Sequence, residues 1–251
     1  MTTTVRTAGT TVARTDALRN TARVAGWMYL ITFVSSIPAR VLYGPALAAH
    51  YILGNGSNGG VQLGCVLDVV CALAGIGTAV ALFPVVKRQH EGVALAFVTS
   101  RVLEASALLV GVVSLLAVVT LRQDHSGADA ASLATTGDAL VAIHNWAYLV
   151  GPGLLSGVNA LLLGSLMYRS GLVPRVIPLV GLIGAPLLLA SGIATMFGAF
   201  GQFSSVAAVA AFPVALWELS VGSWMAFKGF KPSPITVTSV PVVGAAELSS
   251  V

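Results

Sequence analysis

Charge is what this sequence has least of. Asp, Glu, Lys and Arg make up 9% of its 251 residues, against about 25% in ordinary globular proteins. That is too little to cover a water-facing surface, so an ordinary soluble fold is excluded and lipid must be the solvent for most of the chain. Cysteine is almost as scarce. Cys65 and Cys71 are the only two, and on one helix they point apart, which excludes a disulfide framework. Lysine is outnumbered by arginine, three to ten, and basic residues cluster only in short flanks, so no nucleic-acid-binding face is present. The arginine bias, with abundant Ala, Val and Gly, points to a GC-rich bacterial genome.

Catalytic signatures are missing too. HExxH, P-loop and Rossmann patterns do not occur. An intramembrane serine protease would need a Gly-x-Ser-Gly nucleophile, and Ser156 stands in Leu154-Leu-Ser-Gly157 without the first glycine. Haem would need axial ligands inside the membrane. Only His144 falls in an apolar segment; His50, His90 and His125 fall between segments. No cofactor or metal site is expected, and nothing argues for an enzyme.

What is present is apolar sequence, 56% of the chain. A membrane-spanning helix needs about 20 mostly apolar residues, and six stretches qualify: 25–43, 61–86, 92–120, 139–168, 174–199 and 204–228. The expected fold is an all-α bundle of six transmembrane helices. Ala25–Tyr43 reads as a retained first span rather than a cleaved signal, because only further spans follow it. Residues 1–22 and 231–251 lack helical periodicity and are expected to be disordered tails. Gly54–Gly60, rich in Gly and Asn, reads as a flexible loop.

Lys and Arg set the orientation. Arg6, Arg14, Arg19, Arg23, Lys87, Arg88, Arg169, Arg175, Lys228 and Lys231 fall on one side, and Arg122, with Arg40 near a helix end, on the other. The richer side is expected to be cytoplasmic, with both termini there, in the plasma membrane of a bacterium. The basic N-terminal tail is placed to touch anionic lipid, at about 1 kcal/mol per basic residue near the surface. Trp27, Tyr168 and Trp224 are expected at the inner interface and Tyr43 and Trp146 at the outer one. Trp217 fits neither belt and reads as packed.

An ionisable group in mid-span costs roughly 2.5–3.5 kcal/mol on insertion scales, so each is a site hypothesis. At about 1.5 Å of rise per residue, they fall into two layers. Arg40 and Asp68 form an outer layer about 8–10 Å below the outer surface, with His144 and Asn145 slightly above. Arg101, Glu104 and Glu218 form an inner layer near the midplane. Asp68 shares a face with Gly64, Cys71, Ala72 and Gly75, and Glu218 with Ala211, Ala215 and Gly222. Small residues mark close helix packing, so both acids should face the bundle. Asn159 continues the face of His144 and is placed to bond across helices. Gly151-Pro152-Gly153, at mid-depth in the fourth span, is a candidate hinge, since proline removes a helical hydrogen bond.

Several segments together resemble one family. They are Arg23-Val-Ala-Gly-Trp-Met-Tyr-Leu-Ile-Thr, Ser100-Arg-Val-Leu-Glu104, His144-Asn, and Leu161-Leu-Leu-Gly-Ser-Leu-Met-Tyr-Arg-Ser-Gly-Leu-Val-Pro-Arg175. In this order they are similar to bacterial membrane proteins grouped as a domain of unknown function, DUF4386. The resemblance implies a multi-span membrane protein and transfers no catalytic residue. It also implies that Arg101, Glu104 and His144 are family features.

Two functions fit these residues. In one, the chain is a transporter or channel-like protein for a small solute or ion. Arg101, Glu104 and Glu218 then line its path, and three acids facing two arginines leave one carboxyl free to exchange a proton. In the other it is a non-catalytic membrane scaffold or regulatory subunit whose charges serve assembly. A water-accessible cavity reaching Glu104 is expected for the first, and a dry, fully paired interior for the second.

Overall fold

A computed structural model describes residues 3–48, 51–54, 57–124 and 129–236, with side chains from Asp16 onward. Seven α-helices carry the fold: α1 (Thr3–Tyr43), α2 (Gly59–Val86), α3 (Glu91–Gln123), α4 (Ala130–Tyr148), α5 (Ser156–Ser170), α6 (Val176–Met196) and α7 (Ser205–Phe227). A π-helical segment, Leu149–Leu155, joins α4 to α5. The two read as one span, Ala130–Ser170, so six segments are long and apolar enough to cross a membrane. No strand occurs among the described residues.

Helix ends follow local chemistry. Asp129 caps α4 by accepting the N–H of Ser132 at 3.2 Å, and Ser204 caps α7 by accepting that of Ala207 at 3.3 Å. Gly171, with φ of 68°, terminates α5 in the left-handed conformation that glycine adopts at least cost.

The spans form a closed ring in which α1 touches α2 and α7, α2 touches α3, α3 touches the α4–α5 span, and α5 leads through α6 to α7. Closure between first and last helix rests on Gly26 and Gly222. A methyl group at Gly26 would overlap the backbone of Ala226 and lie 2.7 Å from the Gly222 carbonyl. At Gly222 it would lie 2.7 Å from Tyr29 Cβ. Backbones this close are the usual product of small residues at membrane helix contacts.

One end of the bundle collects the basic flanks. Lys231 N donates to Leu172 O at 2.8 Å, Ser233 Oγ donates to Ser170 O at 2.5 Å, and Arg88 Nη1 reaches Ile235 O at 3.4 Å. The last chain segment is therefore strapped across the α5–α6 and α2–α3 turns. Ile235 packs on the main apolar core.

Several sequence expectations change here. Residues 3–22, expected as a tail without helical periodicity, continue α1 toward the N-terminus, with no proline in the run before Pro38. Residues 231–236 are bound rather than free; 237–251 lie outside the described residues. Gly54–Gly60 is anchored at both ends. Buried Arg122 donates from Nε to Gly54 O at 2.9 Å and from Nη1 to Asn58 Oδ1 at 2.7 Å, with its guanidinium 4.2 Å from the Tyr51 ring. Residues 55 and 56, like His50 and His125, lie outside the described residues. Tyr43 is not an interfacial belt residue. It is fully buried, its ring 5.2 Å from that of His144 in an edge-to-face contact. Trp217 is packed, 1% exposed, against Gly181.

Candidate functional site

Four helices bring their polar groups to one point in the ring. Arg101 on α3 is 5% exposed. Its Nη1 donates to Glu104 Oε2 at 2.9 Å, one turn along the same helix, and its Nη2 to Glu218 Oε1 on α7 at 2.7 Å. Nη2 also donates to the hydroxyl of Tyr29 on α1 at 2.9 Å, and the guanidinium lies 5.1 Å from that ring. From α5, Asn159 Nδ2 donates to Glu104 Oε2 at 2.6 Å. One guanidinium thus faces two carboxylates, a formal charge of minus one with both ionised. Arg101 Nε and Asn159 Oδ1 are buried without a hydrogen-bond partner.

Packing sets this geometry. Gly26 and Tyr29 lie on one face of α1, and Glu218 and Gly222 lie one turn apart on α7. The close approach at the glycines therefore brings Tyr29 and Glu218 to the same height as Arg101. On the other side, a methyl group at Gly151 would lie 2.9 Å from Ala107 Cβ and 3.1 Å from Glu104 O. The absence of a side chain there lets the fourth span rest directly on the Glu104 turn of α3.

Gly151, Pro152 and Gly153 lie inside the π-helical segment, which widens the turn instead of breaking the helix. Pro152 has no N–H for the ladder, and Ser156 Oγ accommodates the altered path by donating to Pro152 O at 2.5 Å. Single π-turns of this kind recur at functional sites. Here Pro152 and Gly153 line a cavity.

That cavity, about 490 Å³ in volume with mostly apolar walls, connects the two polar layers. Arg101, Glu104 and Glu218 stand on its wall, and so do Arg40 and Asp68. The outer layer, however, does not close into an ion pair. Among the described residues Arg40 has no salt bridge. Its guanidinium lies 4.2 Å from the Phe203 ring and 5.8 Å from the Tyr43 ring. Asp68 is 1% exposed, and its Oδ2 has no hydrogen-bond partner. The expected Arg40–Asp68 pair is therefore open, because Arg40 lies over aromatic faces instead.

His144 and Asn145 do not join them at the cavity wall. His144 is buried with Nδ1 3.2 Å from Gly111 O, holding the fourth span to α3. Asn145 is half-buried, its Oδ1 unpartnered. Sequence reasoning placed the two arginines and three acids but missed Tyr29, which bonds Arg101, and Tyr148 and Phe203, which line the cavity. Aromatic residues are common in spans, and only the family-like segment around Trp27 drew attention to Tyr29. No cluster of metal-ligating side chains occurs among the described residues.

The two cysteines report on the cavity. Cys71 lines it and is half-buried, whereas Cys65 is 2% exposed and off its wall. In folded protein, Cys71 of a Cys65→Ala variant is expected to react with N-ethylmaleimide. Cys65 of a Cys71→Ala variant should react only after denaturation, as read by intact mass. Faster labelling of Cys65 than of Cys71 in folded protein would overturn this assignment of the cavity wall.

Residues 24–229 match the model of a family described as a domain of unknown function, DUF4386. No curated protein and no solved structure matches the chain.

Proposed function

The chain belongs to the DUF4386 family of unknown function, and from that premise we propose that this multi-pass membrane protein is a transporter or channel-like protein. Its central cavity is the place where a small solute or ion is held. The observation that carries this reading is the cavity itself: about 490 Å³ of space reaches Arg101, Glu104 and Glu218 at one end and Arg40 and Asp68 at the other. A bundle that needed its charges only for assembly would gain by packing that space, since an unfilled interior forfeits contacts on every wall. The π-helical turn at Pro152 supports the same reading, as irregular backbone within a membrane is tolerated where it lines a cavity.

In this reading the end of the bundle that carries Arg19, Lys87, Arg88 and Lys231 faces the cytoplasm of a bacterial cell, with the membrane its plasma membrane. The excess of basic residues at that end supports it. The basic N-terminal segment contacts anionic lipid headgroups on that side.

Purified protein in liposomes is expected to move a solute or protons down an imposed gradient faster than protein-free vesicles, and the Glu104→Gln variant should lower that flux. Absence of flux for protons, cations, anions and small organic solutes alike would overturn the reading. A second reading, a scaffold or regulatory subunit, is favoured by the Arg101 network, which ties α1, α3, α5 and α7 through five side chains. It expects a partner protein to co-purify from native membrane.

A further inference from the structure

We infer that the cavity takes a small zwitterionic amphiphile, with its acid group at Arg40, its ammonium group at Asp68 and an apolar body below them. This deepens the cavity-binding reading and rests on it.

The starting point is an ion pair that is not made. Arg40 and Asp68, a base and an acid, stand on the wall of one cavity, yet no salt bridge joins them. At contact distance such a pair attracts even where surrounding polarity screens it, so closing it would be favourable if nothing opposed it. Arg40 is held off by its position over the Phe203 and Tyr43 rings, where a guanidinium is itself stabilised. Asp68 is buried on α2 with Oδ2 unpartnered. The result is two heads, one basic and one acidic, each with unused hydrogen-bonding capacity, bordering shared space. A buried polar group left in this state is costly unless something fills its valence.

The remaining charges decide which ligand fits. Arg101 already has two carboxylates, so it is not available to an incoming acid. The inner end carries excess negative charge and would repel one. An anion alone would satisfy Arg40 and crowd Asp68; a cation alone would do the reverse. A molecule with both groups serves both heads without changing the net charge of the cavity. Its body is specified by the walls, which are mostly apolar along Ala208, Ala211 and Ala215 of α7 and Leu108 and Leu188 opposite. A volume of about 490 Å³ falls within the range of roughly 300–1,000 Å³ usual for small-ligand sites. An apolar amino acid and the headgroup of a zwitterionic phospholipid share this chemistry.

The probes are 2-aminooctanoate, octanoate and octylamine, which share one alkyl chain. Their binding is measured by titration calorimetry on protein in nanodiscs of phosphatidylglycerol. Wild type should bind 2-aminooctanoate about ten-fold more tightly than either single-charge relative, the worth of one charged hydrogen bond. Arg40→Gln should lose the preference over octylamine, and Asp68→Asn the preference over octanoate. The double variant Arg40→Gln/Asp68→Asn leaves neither charge alone in the bundle and, folded by its thermal melt, should lose both. Repeating the titration in nanodiscs that contain phosphatidylethanolamine separates the two sources. Competition by the lipid assigns the site to a headgroup, and an unchanged affinity assigns it to a free small molecule. Absence of binding by 2-aminooctanoate, equal affinity for its relatives, or a preference that persists in the double variant would each overturn the inference. The cavity-binding reading would survive any of these if Cys71 still proves reactive and flux is still seen, and would fall with it if neither is found.

Discussion

Replacing Arg101 by Gln is expected to destabilise the detergent-purified protein by about 3–5 kcal/mol. The guanidinium is the only cation bonded to Glu104 and Glu218 among the described residues. Its loss leaves two carboxylates facing each other across a bundle interior, with only Asn159 donating to one of them. Neutralising one acid is a different matter. In Glu104→Gln, Arg101 keeps Glu218 at 2.7 Å and Tyr29 at 2.9 Å, and the cluster becomes a neutral one-to-one pair. In Glu218→Gln it keeps Glu104 at 2.9 Å. Each single change should therefore cost no more than about 1.5–3 kcal/mol, the worth of a hydrogen bond to a charged group.

The double variant Glu104→Gln/Glu218→Gln strands the arginine instead, and its loss should exceed the sum of the two singles, because the three groups form one unit. Thermal melts of the four proteins test this. Additive losses would mean that Arg101 is solvated through the cavity rather than held by the acids. A single acid whose removal leaves stability unchanged or raised is one retained at a cost to stability, the mark of a functional group, and flux measurements should then start from that residue.

Gly26→Val is the second large effect. Its side chain would meet the backbone of Ala226 and the carbonyl of Gly222, neither of which can rotate away as a flexible side chain would. Overpacking of this kind costs about 1–3 kcal/mol and more when the backbone must move. The helices that must part are α1 and α7, the pair that closes the ring, so the consequence is not confined to the contact. Tyr29 and Glu218 would be drawn away from Arg101, and the variant should show a weakened response to Glu218→Gln, the acid having already lost its partner. Gly75→Val on α2 is the control: no atom lies within 4 Å of a methyl group added there, and its loss should be small. A Gly26→Val protein as stable as wild type would show that the first and last spans are not in backbone contact.

The sequence by itself determined the number of spans, most of their limits to within a few residues, and which charged residues fall within them; the first and fourth spans begin earlier in the structure than hydropathy marks, at Asp16 and Ala130. Number, limits and membership are one-dimensional quantities. Hydropathy and basic flanks mark where a helix enters and leaves lipid, and a constant rise per residue converts position into depth. Hence Arg101, Glu104 and Glu218 were legible as one layer and Arg40 and Asp68 as another. Small-residue faces even showed that Asp68 and Glu218 point inward, because close packing selects those residues.

What only the tertiary structure decided is which groups of a layer touch. Equal depth puts two charges on one plane but says nothing of their distance across it. That distance is governed by the order of helices around the ring and by contacts such as Gly26 with Gly222. The inner layer closed because backbone contact carried Tyr29 and Glu218 to Arg101. The outer layer stayed open because the Phe203 and Tyr43 rings hold Arg40 away from Asp68. The cavity that joins the two layers is a property of all six spans together, since its walls are drawn from helices far apart in the chain and no local pattern encodes empty space.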